Sequence, residues 1–363
     1  MKTKSKSKAV AGDGIGRVRQ RDIAEAAGVH RTTVCLALKN HPGIPEETRE
    51  RIVRLAEEMG YTPDPMLAAL ASYRTSKRPA AFHGMLGWLV NSSGGYVWNS
   101  FPHYQDYFDG ACERARRCGY ALEVFDLNGE GMSPNRVVAI LRARNIDGLL
   151  LCPQPEPEMS MDFPWEQFSS VTFGYTLARP RMHMVSSTHH RNMVRAMREL
   201  RRRGYARIGF VFSETHDSRT DRNFWAGYLA EALGYELRLP AMPPFMESFR
   251  TAGMGGERRF RAWLRKHQPD AIVTGEFMAF ERLEEMGWRV PGELGVVCPT
   301  LPSRDTRLAG VVEDSRHIGA VAVDALVAAV QRGERGGPEQ PQRILVEGLW
   351  HEGVSLRMVC ERQ

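Results

Sequence analysis

From Phe82 onward the chain alternates between two kinds of segment, and no other feature constrains its fold as strongly. "HGMLGWLV" (83–90), "YALEVFDL" (120–127), "IDGLLLCP" (146–153), "VTFGY" (171–175), "ARIGFVFS" (206–213), "DAIVTG" (270–275) and "LGVVCP" (294–299) are short apolar runs that read as buried strands. Between them stand longer amphipathic stretches such as "YFDGACERARRCG", "PNRVVAILRARN", "HHRNMVRAMRELRRRG", "RNFWAGYLAEALG", "RRFRAWLRKHQ" and "FMAFERLEEMG". A last helix, "RHIGAVAVDALVAAVQRG", precedes the strand "QRILVEGLW". Parallel strands cannot be joined by tight turns, so strand–helix alternation predicts parallel sheets with helices on both faces. Two such sheets in series predict a two-lobed core with a cleft at the carboxyl ends of the strands. "CGY", "RGY", "LGY" and "MGW" each close a helix with a glycine and an aromatic, a structural pattern to which no function attaches.

The first sixty residues read differently. "RQRDIAEAAG" ends at Gly28, "VHRTTVCLALKN" follows, and "PEETRERIVRLAEEMG" opens with Pro45 and closes at Gly60. Each piece is too short to be stable alone, so three helices must pack together. Ala26, Ala27, Gly28 and Val29 give the small residues and the turn that two helices need to approach sharply, which is the helix-turn-helix arrangement. His30, Arg31 and Thr32 then stand at the start of the second helix, the end that faces base edges, and Thr33 is placed to reach a phosphate. An ordinary helical hairpin is the plainer alternative.

Charge bears on that choice. Residues 1–80 hold 15 Lys and Arg against 9 Asp and Glu, whereas the rest of the chain holds 34 of each. All of the formal net charge of +6 therefore sits in the first fifth, where a polyanion would meet it. Lys2, Lys4, Lys6 and Lys8 belong to a basic tail over 1–16, expected to be disordered. Pro63 and Pro65 break the third helix, and "MLAALASYR" after them is apolar and helix-prone but too short to hold itself, as expected of a segment that folds on a partner.

"RDIAEAAGVHRTTVCLALKN" and "GIPEETRERIVRLAEEMGYTPD" resemble the DNA-binding head of the lactose-repressor/galactose-repressor family of transcriptional regulators. The resemblance continues through the hinge and, more loosely, through a periplasmic-binding-protein-like core. It implies an all-α helix-turn-helix domain over 17–63, a hinge helix and linker over 64–80, and a two-lobed effector-binding and dimerisation core over 81–363. The N-lobe would hold about 81–181 and 310–337 and the C-lobe about 182–302 and 338–363, with crossings near Arg181, Ser303–Ala309 and Pro338–Arg343. Carried over by position, Arg31, Thr32 and Leu36 fall where the family reads bases. Leu70 falls at its minor-groove wedge, with Ala69 beside the groove floor. Arg19 stands where a phosphate-touching threonine is usual, Cys35 where serine is commoner, and Pro45 where serine caps the third helix.

Effector contacts in the family lie at strand ends, which points to Asn91, Tyr175, Arg222 and Glu276, with Trp98 and Tyr104 from the loop "NSSGGYVWNSFPHY". Aromatic faces beside polar groups suit sugars. The departures point elsewhere: Phe224 replaces an arginine that grips hydroxyls, Phe277 replaces an aspartate, and another aspartate falls near Thr300. A sugar-like effector, a charged or aromatic one, and none all remain open. Adjacent His189 and His190 diverge by about 100° on a helix and chelate poorly, so a surface or capping role is expected and no metal.

The resemblance thus implies a dimeric, ligand-responsive repressor of a pseudo-palindromic double-stranded operator, working in the cytoplasm without a cofactor. The alternative is a small-molecule binding protein whose head makes protein contacts. An enzyme is disfavoured: there is no GxxxxGK[ST], GxSxG or HExxH, and "GDGIG" (12–16) follows no strand. The six cysteines form no CxxC pair, consistent with reduced thiols. No apolar run approaches the roughly 20 residues of a membrane span, and the basic N-terminus lacks the apolar stretch of a secretory signal.

Overall fold

The computed structural model describes residues 18–38, 43–61, 84–234, 242–248 and 253–358. The basic tail, the whole hinge with Ala69 and Leu70, and the linker to residue 83 lie outside the described residues. The chain divides into a head and a core, which are described separately.

The head holds α1 (Gln20–Ala27), α2 (Arg31–Leu38) and α3 (Glu46–Glu58). The Asp22 carboxylate accepts the Arg19 backbone N–H at 2.7 Å and so caps α1. Gly28 ends α1 at φ 64°, a left-handed conformation that a side chain resists. Its turn brings α2 back against α1, and the Arg51 guanidinium of α3 donates to the Ala27 carbonyl at 3.4 Å. Ile23, Ala24, Val34, Ala37, Ile52 and Ala56 are buried together, one pair from each helix. With so small an interior, no helix can be removed without exposing the other two.

The core contains two sheets. The first comprises β1 (Gly84–Val90), β2 (Tyr120–Asp126), β3 (Gly148–Leu151), β5 (Ser169–Phe173), β7 (His183–Ser187) and β12 (Arg343–Val346), with β4 (Met159–Ser160) and β6 (Leu177–Arg179) forming a separate short pair. Its order is β12-β7-β5-β3-β1-β2, and every pairing is parallel. On one face Trp88 and Phe173 pack with α4 (Pro102–Arg117) and α11 (Ser315–Arg332); on the other Leu89 and Leu149 pack with α5 (Pro134–Ala143). A Cβ on Gly319 would lie 2.0 Å from the Tyr107 carbonyl oxygen, and one on Gly110 1.9 Å from that of Arg316. The two glycines thus let the backbones of α4 and α11 touch.

The second sheet has the order β13-β11-β10-β9-β8, built from β8 (Ile208–Val211), β9 (Ala271–Thr274), β10 (Gly295–Leu301), β11 (Ala309–Val312) and an antiparallel edge strand β13 (Leu349–His351). One face is covered by α6 (His189–Arg202) and α8 (Asn223–Leu233), the other by α9 (Gly253–His267) and α10 (Ala279–Glu285). The short α7 (Glu214–Ser218) follows β8.

The chain passes between lobes at Thr188, at Glu313–Asp314 and at Glu347–Gly348. These positions correct the crossings expected near Arg181, Ser303–Ala309 and Pro338–Arg343. "HMVSS" carries too little apolar signal to read as a strand, yet it pairs with β5 and β12 and so keeps the chain in the N-lobe. "AGVV" pairs with β10 and holds residues 309–312 in the C-lobe. "QRILVEGLW" is two strands, one in each sheet, rather than one.

Candidate functional site

In the head, the sequence places polar groups at the start of α2 and apolar groups behind them. Arg31 and Thr32 are exposed, while Val34 and Ala37 on the opposite side are buried. His30 also faces solvent, but its ring is engaged locally. The Thr32 backbone N–H donates to Nδ1 at 3.3 Å, and the Thr32 hydroxyl lies 3.0 Å from the same nitrogen. The imidazole thus caps α2, a positioning task not anticipated for it. Thr33 and Leu36 are half-buried, and Leu36 is not among the side chains packed on the helical core. Arg19 is exposed.

In the core, a cavity of about 590 Å³ lies where both lobes contribute lining residues. Tyr104, Tyr175, Phe224 and Glu276 line it, as the strand-end argument expected. Three expected residues lie elsewhere. Asn91 ends β1 with its amide spent on Gln154, Ser93 and Asn128, because the turn after the strand needs those bonds. Trp98 packs on Trp88 and Phe108, with ring centroids 5.6 Å and 5.4 Å away. Arg222 sits in a left-handed turn at φ 54° that points it to solvent.

Arg219, one turn earlier, enters the cavity instead. Its guanidinium donates to the Tyr104 hydroxyl at 3.1 Å and to the Pro155 carbonyl, and lies 6.0 Å from the Tyr96 ring centroid. His189 is also inside. It is nine-tenths buried, 5.0 Å from the Phe224 ring, and its Nδ1 has no hydrogen-bond partner. This corrects the surface role expected for it; His190 is exposed. His216 packs on Phe212 and Phe224, in the space that Gly275 leaves free.

Glu313 is the polar centre of the cavity wall. Its Oε1 accepts from the Tyr107 hydroxyl at 2.5 Å and its Oε2 from the Thr300 hydroxyl at 3.3 Å, with His189 Nε2 at 3.9 Å. Tyr107 belongs to the N-lobe and Thr300 to the C-lobe, so one carboxylate at a crossing bonds to both. Burial, then the Glu313 charge, push the Tyr107 hydroxyl far above its ordinary range, so it remains a donor. Burial pushes the Glu313 carboxyl up, but His103, His189 and the two hydroxyl bonds outweigh it and leave it below the usual range. Burial, then His189, His103 and Arg219, push His216 down to about 4.

The sequence reading missed Tyr107, Arg219, His216 and Glu313 as lining residues. The loop "SETHDSR" directly follows strand "ARIGFVFS", where ligands of such sheets bind, and was the available signal for two of them. Glu313 would have followed from reading "LAGVV" as a strand. Among the described residues, no three or more His, Cys, Asp or Glu side chains form a group able to hold a metal ion, and no helix is long and apolar enough to cross a membrane.

Residues 21–64 match the family of bacterial regulatory proteins, lacI family. Residues 197–355 match the periplasmic binding protein-like domain. The head thus carries a lacI-family DNA-binding domain, and the core a periplasmic-binding-protein-like domain. The HTH-type transcriptional regulator YkvZ of Bacillus subtilis is 29% identical over 132 residues, which span 36% of this chain and only 37% of YkvZ. The NTD biosynthesis operon regulator NtdR of Bacillus subtilis is 22% identical over 291 residues, 76% of this chain and 80% of NtdR. The solved lac repressor dimer, bound to operator and the anti-inducer ONPF, shares the fold with a TM-score of 0.55 at 17% identity, over 94% of this chain and 100% of that one. This core has Phe224, Phe277 and Thr300 at the positions where the resemblance implied polar effector ligands. Its charged groups enter from Arg219, Glu276 and Glu313.

Proposed function

We propose that the protein is a ligand-responsive transcriptional repressor that binds a pseudo-palindromic DNA operator as a homodimer. The observation that carries this reading is the exposed Arg31 and Thr32 at the start of α2, on a head that matches the lacI family and precedes a two-lobed core with a cavity. An arginine there can grip a guanine edge with two hydrogen bonds, and Thr32 offers a further donor or acceptor. Leu36, one turn on, offers an apolar surface to a thymine methyl. Arg19 and Thr33 serve the phosphates, and Leu70 with Ala69 the minor groove. The lac repressor structure, a dimer on operator, supports the assembly. Such a regulator works in the cytoplasm, where its DNA is.

The response is a population shift. A small molecule in the cavity favours one angle between the lobes, and the head's affinity for DNA follows. The ligand acts only through a difference in its affinity for the two arrangements. The test is selection of an operator from random duplex DNA by the full chain, then gel shift with wild type and Arg31→Ala. Recovery of a symmetric site whose discrimination Arg31→Ala weakens supports the reading. Failure to enrich any sequence overturns it.

A further inference from the structure

The cavity described above holds a half-buried cation, Arg219, that no carboxylate among the described residues contacts. The partners of the Arg219 guanidinium are a tyrosine hydroxyl, a carbonyl oxygen and a ring face, all neutral. Among the described residues no carboxylate lies within 4.0 Å of it. A guanidinium partly withdrawn from water favours a countercharge beside it. The planar fork suits a carboxylate, which it binds through two parallel N–H···O bonds.

The rest of the lining limits what carries that carboxylate. Phe101, Phe277 and the ring of Tyr175 present apolar surface among the hydroxyl groups of the lining. Glu276 and Glu313 line the same cavity and would repel a phosphate dianion more than a singly charged carboxylate.

We propose that the effector of this cleft is a small aromatic acid whose carboxylate pairs with Arg219 and whose ring lies against Tyr175. The assignment rests on reading the cavity as the effector site of the regulator proposed above. It deepens that reading by replacing a hydroxyl-rich ligand with an anionic, planar one.

The test is titration calorimetry on the full chain without DNA, using benzoate and phenylacetate, with benzamide, phenyl phosphate and methyl glucoside as contrasts. The acids should bind at least about tenfold more tightly than benzamide, the loss that one charge-assisted pair implies. Arg219→Gln should abolish the preference for acid over amide, and Arg219→Lys should retain part of it. Circular dichroism of both variants guards against misfolding, with the lysine variant deciding if the glutamine variant does not fold. No binding by either acid, equal binding of benzamide, or tighter binding of methyl glucoside overturns the proposal. Tighter binding of phenyl phosphate overturns its choice of carboxylate. Acid binding by a chain that enriches no operator sinks the repressor reading and leaves this one standing; operator binding with no acid binding does the reverse.

Discussion

The Tyr107 hydroxyl donates to the Glu313 carboxylate at 2.5 Å, and that bond joins an N-lobe helix to the residue at which the chain leaves the C-lobe. Glu313 also accepts from Thr300 in the C-lobe sheet. The pair therefore couples the angle between the lobes to the chemistry of the cavity wall. A ligand that competes for either oxygen changes what the crossing costs to bend.

Tyr107→Phe removes the donor and leaves a buried carboxylate short of one bond. Stability should fall by about 1–3 kcal/mol, the cost of an unmet buried acceptor. Urea denaturation of wild type and variant checks it, and Thr300→Val should cost less because its bond, at 3.3 Å, is longer.

Acid should weaken the fold before carboxylates titrate. His216 is held neutral with a pKa of about 4 in the folded chain, against about 6.5 when unfolded. The unfolded state then binds the extra proton first, so stability falls as pH drops from about 6.5 to about 4, by about 2 kcal/mol once cavity solvent is allowed for. Below that, protonation of Glu313, whose folded pKa is depressed, removes more. Thermal melts across this range should show a shallower slope for His216→Gln.

Gly319→Ala should be among the most damaging small substitutions. Its methyl group would meet the Tyr107 carbonyl oxygen at 2.0 Å, so α4 and α11 must separate. Overpacking of this kind costs about 1–3 kcal/mol. A lower urea midpoint is expected, and the same displacement moves Tyr107 away from Glu313.

Arg31→Ala should leave the melting temperature unchanged, because the side chain is exposed. It should cost about 1–3 kcal/mol of discrimination at one base pair of the operator. Gel shifts on single-site operator variants measure this. Binding by wild type should also fall steeply with salt, as phosphate neutralisation requires.

The sequence was most legible where periodicity is strong. The apolar strands and the helices closed by Gly28, Gly204 or Gly287 stand out because burial on two faces leaves little choice of residue. "HMVSS" and "AGVV" escaped because small or polar residues can fill a strand beside a cavity, and with them went the crossings. Side-chain direction was less legible still. Arg219 and Arg222 are three residues apart in the same loop, and only the left-handed turn at Asp221 and Arg222 decides which enters the cavity. His30 looked like a base reader by position, whereas its ring holds the first turn of α2. Glu313 could not be placed until the strand before it was recognised.

The three crossings at Thr188, Glu313–Asp314 and Glu347–Gly348 make the core a covalently redundant clasp. A protease that nicks one of them leaves two peptide links between the lobes, so the cut need not release either. The Glu347–Gly348 joint belongs to no strand. New chain ends opened there would leave every strand pairing in both sheets in place, and a circularly permuted core could still close on its ligand.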